Sequence, residues 1–141
     1  MREILFRGKR IDNGDWIEGY YVKTVDYRTD SAVHSIIELP SAFYPRGEIA
    51  REYEISSSTI GQYTGLTDKH GKKIFEGDCF KTYCTGLPVY KHIVGYYPEH
   101  FAFMARCIEM NTVHYLSDYR PSAIEVIGNI HDNPELLEVT K

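Results

Sequence analysis

The run from Thr59 to Asp78, TIGQYTGLTDKHGKKIFEGD, limits what this chain can fold into more than any other stretch. Gly65, Gly71 and Gly77 can each take a positive φ, where a side chain's Cβ would clash. The run therefore reads as a strand, a glycine-bearing loop and tight turn, then a second glycine turn that launches another strand. Asp78, just after a glycine at a strand start, reads as a turn cap whose carboxylate accepts backbone N–H bonds. Such punctuation builds compact β-structure, and it names no activity.

Other segments follow the same pattern. Asn13-Gly14 is a two-residue turn signal between Glu3–Asp12 and Trp16–Val22, so the chain opens with a hairpin turned at Gly14. Lys23–Ser31 is polar and reads as a loop. Ala32–Leu39 reads as a third strand stopped by Pro40, and Ser41–Ala50 as a loop or short helix. Glu52–Tyr63 is extended, with a break at Ser56-Ser57-Ser58. Further strands are expected at Cys79–Cys84, Val89–Tyr97, Phe101–Ile108, Thr112–Leu116 and Ile124–Ile130, with Phe101 and Phe103 on one face. Near the end, Asp132-Asn133-Pro134-Glu135 has a capping residue, a proline for the first helical position and an early acid, which predicts a short C-terminal helix.

The expected fold is thus mainly β. A strongly bent sheet or an SH3-like, partly open barrel in the C-terminal half follows an N-terminal hairpin and added strands. Length and the lack of a linker favour a single domain over 1–141, with a strand-rich part at 1–66 and a small barrel-like unit at 67–141.

Composition narrows the class. Aromatics reach 13%, with twelve tyrosines and one tryptophan, Trp16. Tyrosine suits half-buried sheet faces, and an exposed set of them would make a binding surface. The net charge of −4 speaks against a general nucleic-acid binder. The ends differ in sign: Arg2, Arg7, Lys9 and Arg10 against Glu3, and Glu125, Asp132, Glu135 and Glu138 against Lys141. Cys79, Cys84 and Cys107 form no CxxC, and an odd count points to free thiols in a reducing compartment. The charged start and the lack of a long apolar run lead us to expect a soluble, cytoplasmic protein with no membrane partner.

Candidate chemistry is sparse. Cys79, Cys84 and Cys107 with His92, His100 and His114 lack the spacing of a zinc knuckle, so neither metal nor cofactor is expected. A Cys–His pair, Cys107 with His92 or His114, lacks a motif that would fix an oxyanion hole. Carboxylate pairs such as Glu76 with Asp78 are more simply turn residues. A Cys- or carboxylate-dependent enzyme is therefore the least favoured reading, and no catalytic residue is assigned. For nucleic acid the foothold is Lys69, Lys72 and Lys73 in a glycine turn, with Tyr83 and Tyr90 nearby, since basic loops and exposed tyrosines on small barrels hold single strands. These five are the candidate binding residues. Self-assembly or pairing with a partner protein through open sheet edges asks least of the sequence.

Four pieces resemble one family. They are Met1–Lys9 (MREILFRGK), Gly14–Tyr20 (GDWIEGY), Gly61–Asp78 (GQYTGLTDKHGKKIFEGD) and Val126–Leu137 (VIGNIHDNPELL). In this order they are similar to the YopX family of phage and prophage proteins. The family usually carries an apolar residue where Cys79 follows Gly77-Asp78, which fits a small core residue. The resemblance implies a mainly β fold, carriage on phage or prophage DNA and homo-oligomers. It supplies no catalytic residues, because the family has no established activity. Together these observations lead us to expect a non-enzymatic accessory protein of the bacterial host cytoplasm that works as an interaction or assembly module, with an unknown phage or host protein as partner and nucleic-acid binding as the alternative.

Overall fold

In the computed structural model, which describes residues 2–38, 51–83 and 85–139, the chain is mainly β, as expected, and divides into two units at 62/63. The first begins with the hairpin of β1 (Phe6–Lys9) and β2 (Trp16–Asp26), registered from Lys9↔Trp16 to Phe6↔Gly19. Its loop is four residues long, Ile11–Gly14, rather than two. Gly14, at φ 74°, donates its N–H to Arg10 O, and Asn13 Oδ1 accepts the Asp15 N–H, which lengthens the connection.

Strand β2 does not stop at Val22. It runs to Asp26, paired with β3 (Ser31–Glu38) down to Asp26↔Ser31, so most of the expected loop 23–31 is strand and only 27–30 turn. Lys23, Thr24 and Val25 are all exposed, so polarity there reflects a ribbon wetted on both faces, not missing structure. Strand β4 (Glu52–Glu54) adds to β3, and a 3-10 turn at Ser57–Thr59 forms the break at the serines. The segment expected as a loop or short helix, 41–50, lies outside the described residues.

Ile17, Ile36 and Ile55 form this unit's core, with Phe6, Tyr21, Tyr53 and Ile60 against them. Gly19 sits inside it. A Cβ there would lie 2.0 Å from the Ile37 carbonyl oxygen and 2.9 Å from Ile36 Cγ2, so two strands meet at a distance only glycine permits. Strand β5 (Gly61–Thr67) begins in this unit, pairing Gly61 and Gln62 with β1.

In the second unit the rest of β5 pairs with β6 (Lys73–Phe75). There follow β7 (Asp78–Thr82), β8 (Lys91–Tyr97), β9 (Ala102–Cys107), β10 (Val113–Tyr115) and β11 (Ile124–Asn129). These five form an antiparallel sheet in the order β10-β9-β8-β7-β11, open rather than closed into a barrel. Ile74, Phe80, Val94, Ala105, Leu116 and Ile124 make the core. Asp78, Cys79 and Phe80, at the start of the strand between β8 and β11, are all buried. Gly77, at φ 87°, donates its N–H to Val94 O and accepts from Ile130 N–H, so a single residue turns the chain and ties two segments. Asp78 Oδ2 accepts the Phe75 N–H at 2.8 Å.

One local expectation is corrected. Phe101 does not share a strand face with Phe103. It follows the 3-10 turn Pro98–His100 in the left-handed region, with its ring 86% exposed, because Pro98 starts a turn that ends only at Phe101. The expected short C-terminal helix is present as a single 3-10 turn, Pro134–Leu137, with the proline and Glu135 in its first turn and no side-chain cap bond.

Gly19→Ala should therefore cost more than about 2 kcal/mol in urea unfolding, as overpacking against backbone does. Gly95→Ala, whose Cβ would meet only Tyr97 Cε2 at 3.4 Å, should stay within about 1 kcal/mol.

Candidate functional site

The loop between β5 and β6, which carries the candidate lysines, is organised by Asp68. This carboxylate is 4% exposed. Its Oδ1 accepts the N–H groups of His70 (2.8 Å) and Lys72 (3.0 Å), an Asx turn that folds the loop locally. Its Oδ2 accepts the N–H of Val126 at 3.0 Å, and the Lys69 N–H donates to Ile124 O at 3.0 Å. The loop thereby lies along the outer edge of β11. Burial pushes the Asp68 carboxyl up, but the bonds from Val126, His70 and Lys72 outweigh it and hold the group below its ordinary range.

That placement brings two of the five candidates together. Tyr83 OH donates to Glu125 Oε2 at 2.8 Å, Lys69 Nζ lies 3.4 Å from the same oxygen, and His70 Nε2 lies 3.5 Å from Glu125 Oε1. Lys69 Nζ also stands 4.2 Å from the Tyr83 ring centroid. The Tyr83 bond, with Lys69 and His70, holds the Glu125 carboxyl low, and the same bond raises the Tyr83 phenol. Glu125 thus offsets the charge of Lys69, which weakens this spot as a phosphate contact. Lys72 is exposed, whereas Lys73 is half-buried with Nζ 5.7 Å from the Tyr63 ring. Neither joins the Glu125 cluster.

Tyr90 belongs to a different place. With Thr82, His92, Asp118, Tyr119, Arg120 and Ala123 it lines a cavity of about 420 Å³. His92 is 4% exposed and stacks on Phe80 at 4.9 Å and 6°, while the Tyr119 ring sets its edge against both. Burial lowers the imidazole's pKa against the opposing pull of Glu109, so the ring is neutral at physiological pH. Burial likewise pushes the Tyr119 phenol up to about 12. His92 Nδ1 is buried without a hydrogen-bond partner among the described residues.

Sequence reasoning passed over Asp68, Asp118, Tyr119, Arg120 and Glu125. An aromatic flanked by opposite charges ahead of a proline, Asp118-Tyr119-Arg120-Pro121, was the readable signal for three of them.

The two described cysteines, Cys79 and Cys107, are both buried. Cys107 stands opposite His92 in register, but its Sγ approaches Glu109 Oε2 at 3.8 Å. Cys79 is fully buried, and burial pushes its thiol up to about 11. Cys84 lies outside the described residues. Among those described, no three His, Cys, Asp or Glu side chains converge as metal ligands, and no helix is long and apolar enough to cross a membrane.

Two outcomes follow. Because the folded Asp68 pKa is depressed, its stabilisation is present above the ordinary carboxylate value and is lost as pH falls through the folded one. Urea unfolding between pH 7 and 3 should show this acid loss, and Asp68→Asn should reduce it while costing about 1–3 kcal/mol at pH 7. Cys79 should resist alkylation at neutral pH until the protein is unfolded; fast labelling of the native chain would contradict its burial.

Comparison with known proteins agrees with this architecture. The sequence profile described as YopX protein matches residues 5–138. Among solved structures, protein EF1440 from Enterococcus faecalis is similar at 28% identity and a TM-score of 0.56, covering 98% of this chain and all of that one. Protein yopX from Bacillus subtilis is similar in fold at 15% identity and a TM-score of 0.55, covering both chains in full. Comparison with curated proteins gives no match. The profile spans nearly the whole chain and both structural relatives share its fold: the chain belongs to the YopX family.

Proposed function

We propose that this protein is a phage or prophage accessory factor of the bacterial cytoplasm that works by self-assembly, through the free edge of β10. The observation that carries this reading is the asymmetry of the five-stranded sheet. Its β11 edge is covered by the Asp68–Lys69 loop, whereas no strand pairs with the outer side of β10 among the described residues. All three β10 residues are exposed, and exposed Met110 and Phe101 lie close in the chain to either end of the β9–β10 hairpin. An uncovered edge beside apolar side chains favours strand pairing.

The register says which groups would pair. The Cys107 N–H donates to Thr112 O, so alternation turns the His114 backbone toward β9 and those of Val113 and Tyr115 outward. An isologous contact between two β10 strands would use those outward groups. Nucleic-acid binding through the 69–73 turn has weaker support, because Glu125 sits on Lys69 and Tyr83 while Tyr90 lies elsewhere.

Light scattering at micromolar protein should give a discrete mass of twice the chain. Tyr115→Pro removes one outward N–H at a residue whose φ is already −60°, so the fold should survive while the dimer is lost. A monomeric parent protein, or a dimer indifferent to this change, would sink the proposal.

A further inference from the structure

The cavity above β7 and β8 is independent of the β10 edge, and its chemistry points to a ligand. Tyr90, His92 and Tyr119 supply aromatic walls, and Thr82 and Ala123 complete the lining. Asp118 and Arg120 flank Tyr119 at the mouth, both exposed, and among the described residues neither side chain makes a hydrogen bond or ion pair. A carboxylate and a guanidinium two residues apart, both uncommitted and both lining one aromatic cavity, form a donor–acceptor pair awaiting a complement. At about 420 Å³ the space is in the range of small-ligand sites, roughly 300–1,000 Å³.

We propose that this cavity binds the base of a nucleotide, with the ring against the Tyr90 and Tyr119 walls, base N–H groups donating to Asp118 and Arg120 donating to a base carbonyl or the phosphate. A flat heteroaromatic ring uses the aromatic walls whatever its identity, since every base has a π-face. Its edge carries several donors and acceptors side by side, where a peptide's tyrosine carries a single hydroxyl, and carboxylate and guanidinium are side chains that read such edges. The neutral His92 floor adds no charge that would select for an anion alone. The base could come from a free nucleotide or from an unpaired position in a single strand.

The test uses the full chain and isothermal titration with GMP, AMP, CMP and UMP, alongside ribose 5-phosphate, N-acetyltyrosinamide and a short oligothymidylate. At least one mononucleotide should bind with Kd below about 1 mM, and ribose 5-phosphate should not. Asp118→Asn and Arg120→Gln, both at exposed positions, should each weaken that binding by about tenfold with unchanged thermal unfolding. Saturation by mononucleotide alone identifies the free form as the source; tighter binding of the oligonucleotide, weakened by the same variants, identifies the strand. No binding by any nucleotide or by the oligonucleotide, equal binding of ribose 5-phosphate, binding of the tyrosine amide alone, or nucleotide binding indifferent to both variants would each overturn the proposal.

Discussion

One buried carboxylate holds much of the second unit in register. Asp68 accepts three backbone N–H groups, two from its own loop and one from Val126, fifty-eight residues away. The local pair shapes the turn, and the distant bond fixes where that turn lies. Because the Lys69 N–H then reaches Ile124 O, the loop takes the position that a sixth strand would occupy beside β11. Charge-assisted bonds to backbone are among the stronger single contacts a side chain makes. Together with the Lys69 N–H bond to Ile124 O, they bring Lys69 beside Glu125 and Tyr83.

Much of this fold was legible because β-structure announces its turns. Asn13-Gly14, the glycines at 65, 71 and 77, and the alternating strands after Asp78 each encode a local backbone choice, and local choices are what a sequence displays. Asp78 could be read as a turn cap for the same reason, its partner Phe75 being three residues off. The misjudged segment was 23–31. There the polar residues around Lys23 and Thr24 look like a loop, yet β3 pairs with the chain as far as Asp26. A ribbon exposed on both faces needs no apolar alternation, so period two cannot reveal it.

The site was less legible, because its members are joined across long separations. Lys69, Lys72 and Lys73 are neighbours in sequence, but the Asx turn at Asp68 aims them differently, and only Lys69 meets Glu125. Tyr83 and Tyr90 are seven residues apart and serve separate places, one beside Glu125 and one in the cavity with Tyr119. Composition gave no hint that His92 would be sealed on Phe80 with an unpaired nitrogen, since burial there comes from strand order.

The cover over β11 carries a consequence for how the protein would age in acid. If two copies of the five-stranded sheet joined at β10, as proposed, the covered β11 edge would leave those two sheets nothing further to pair. Protonating Asp68 would loosen the strap that shields the opposite edge. The five-stranded sheet would then offer two bare edges, and the proposed pair would become the first link of an open chain. If the proposed pairing through β10 holds, the ionised aspartate would do more than shape a turn: by keeping β11 covered it would limit this sheet to one partner.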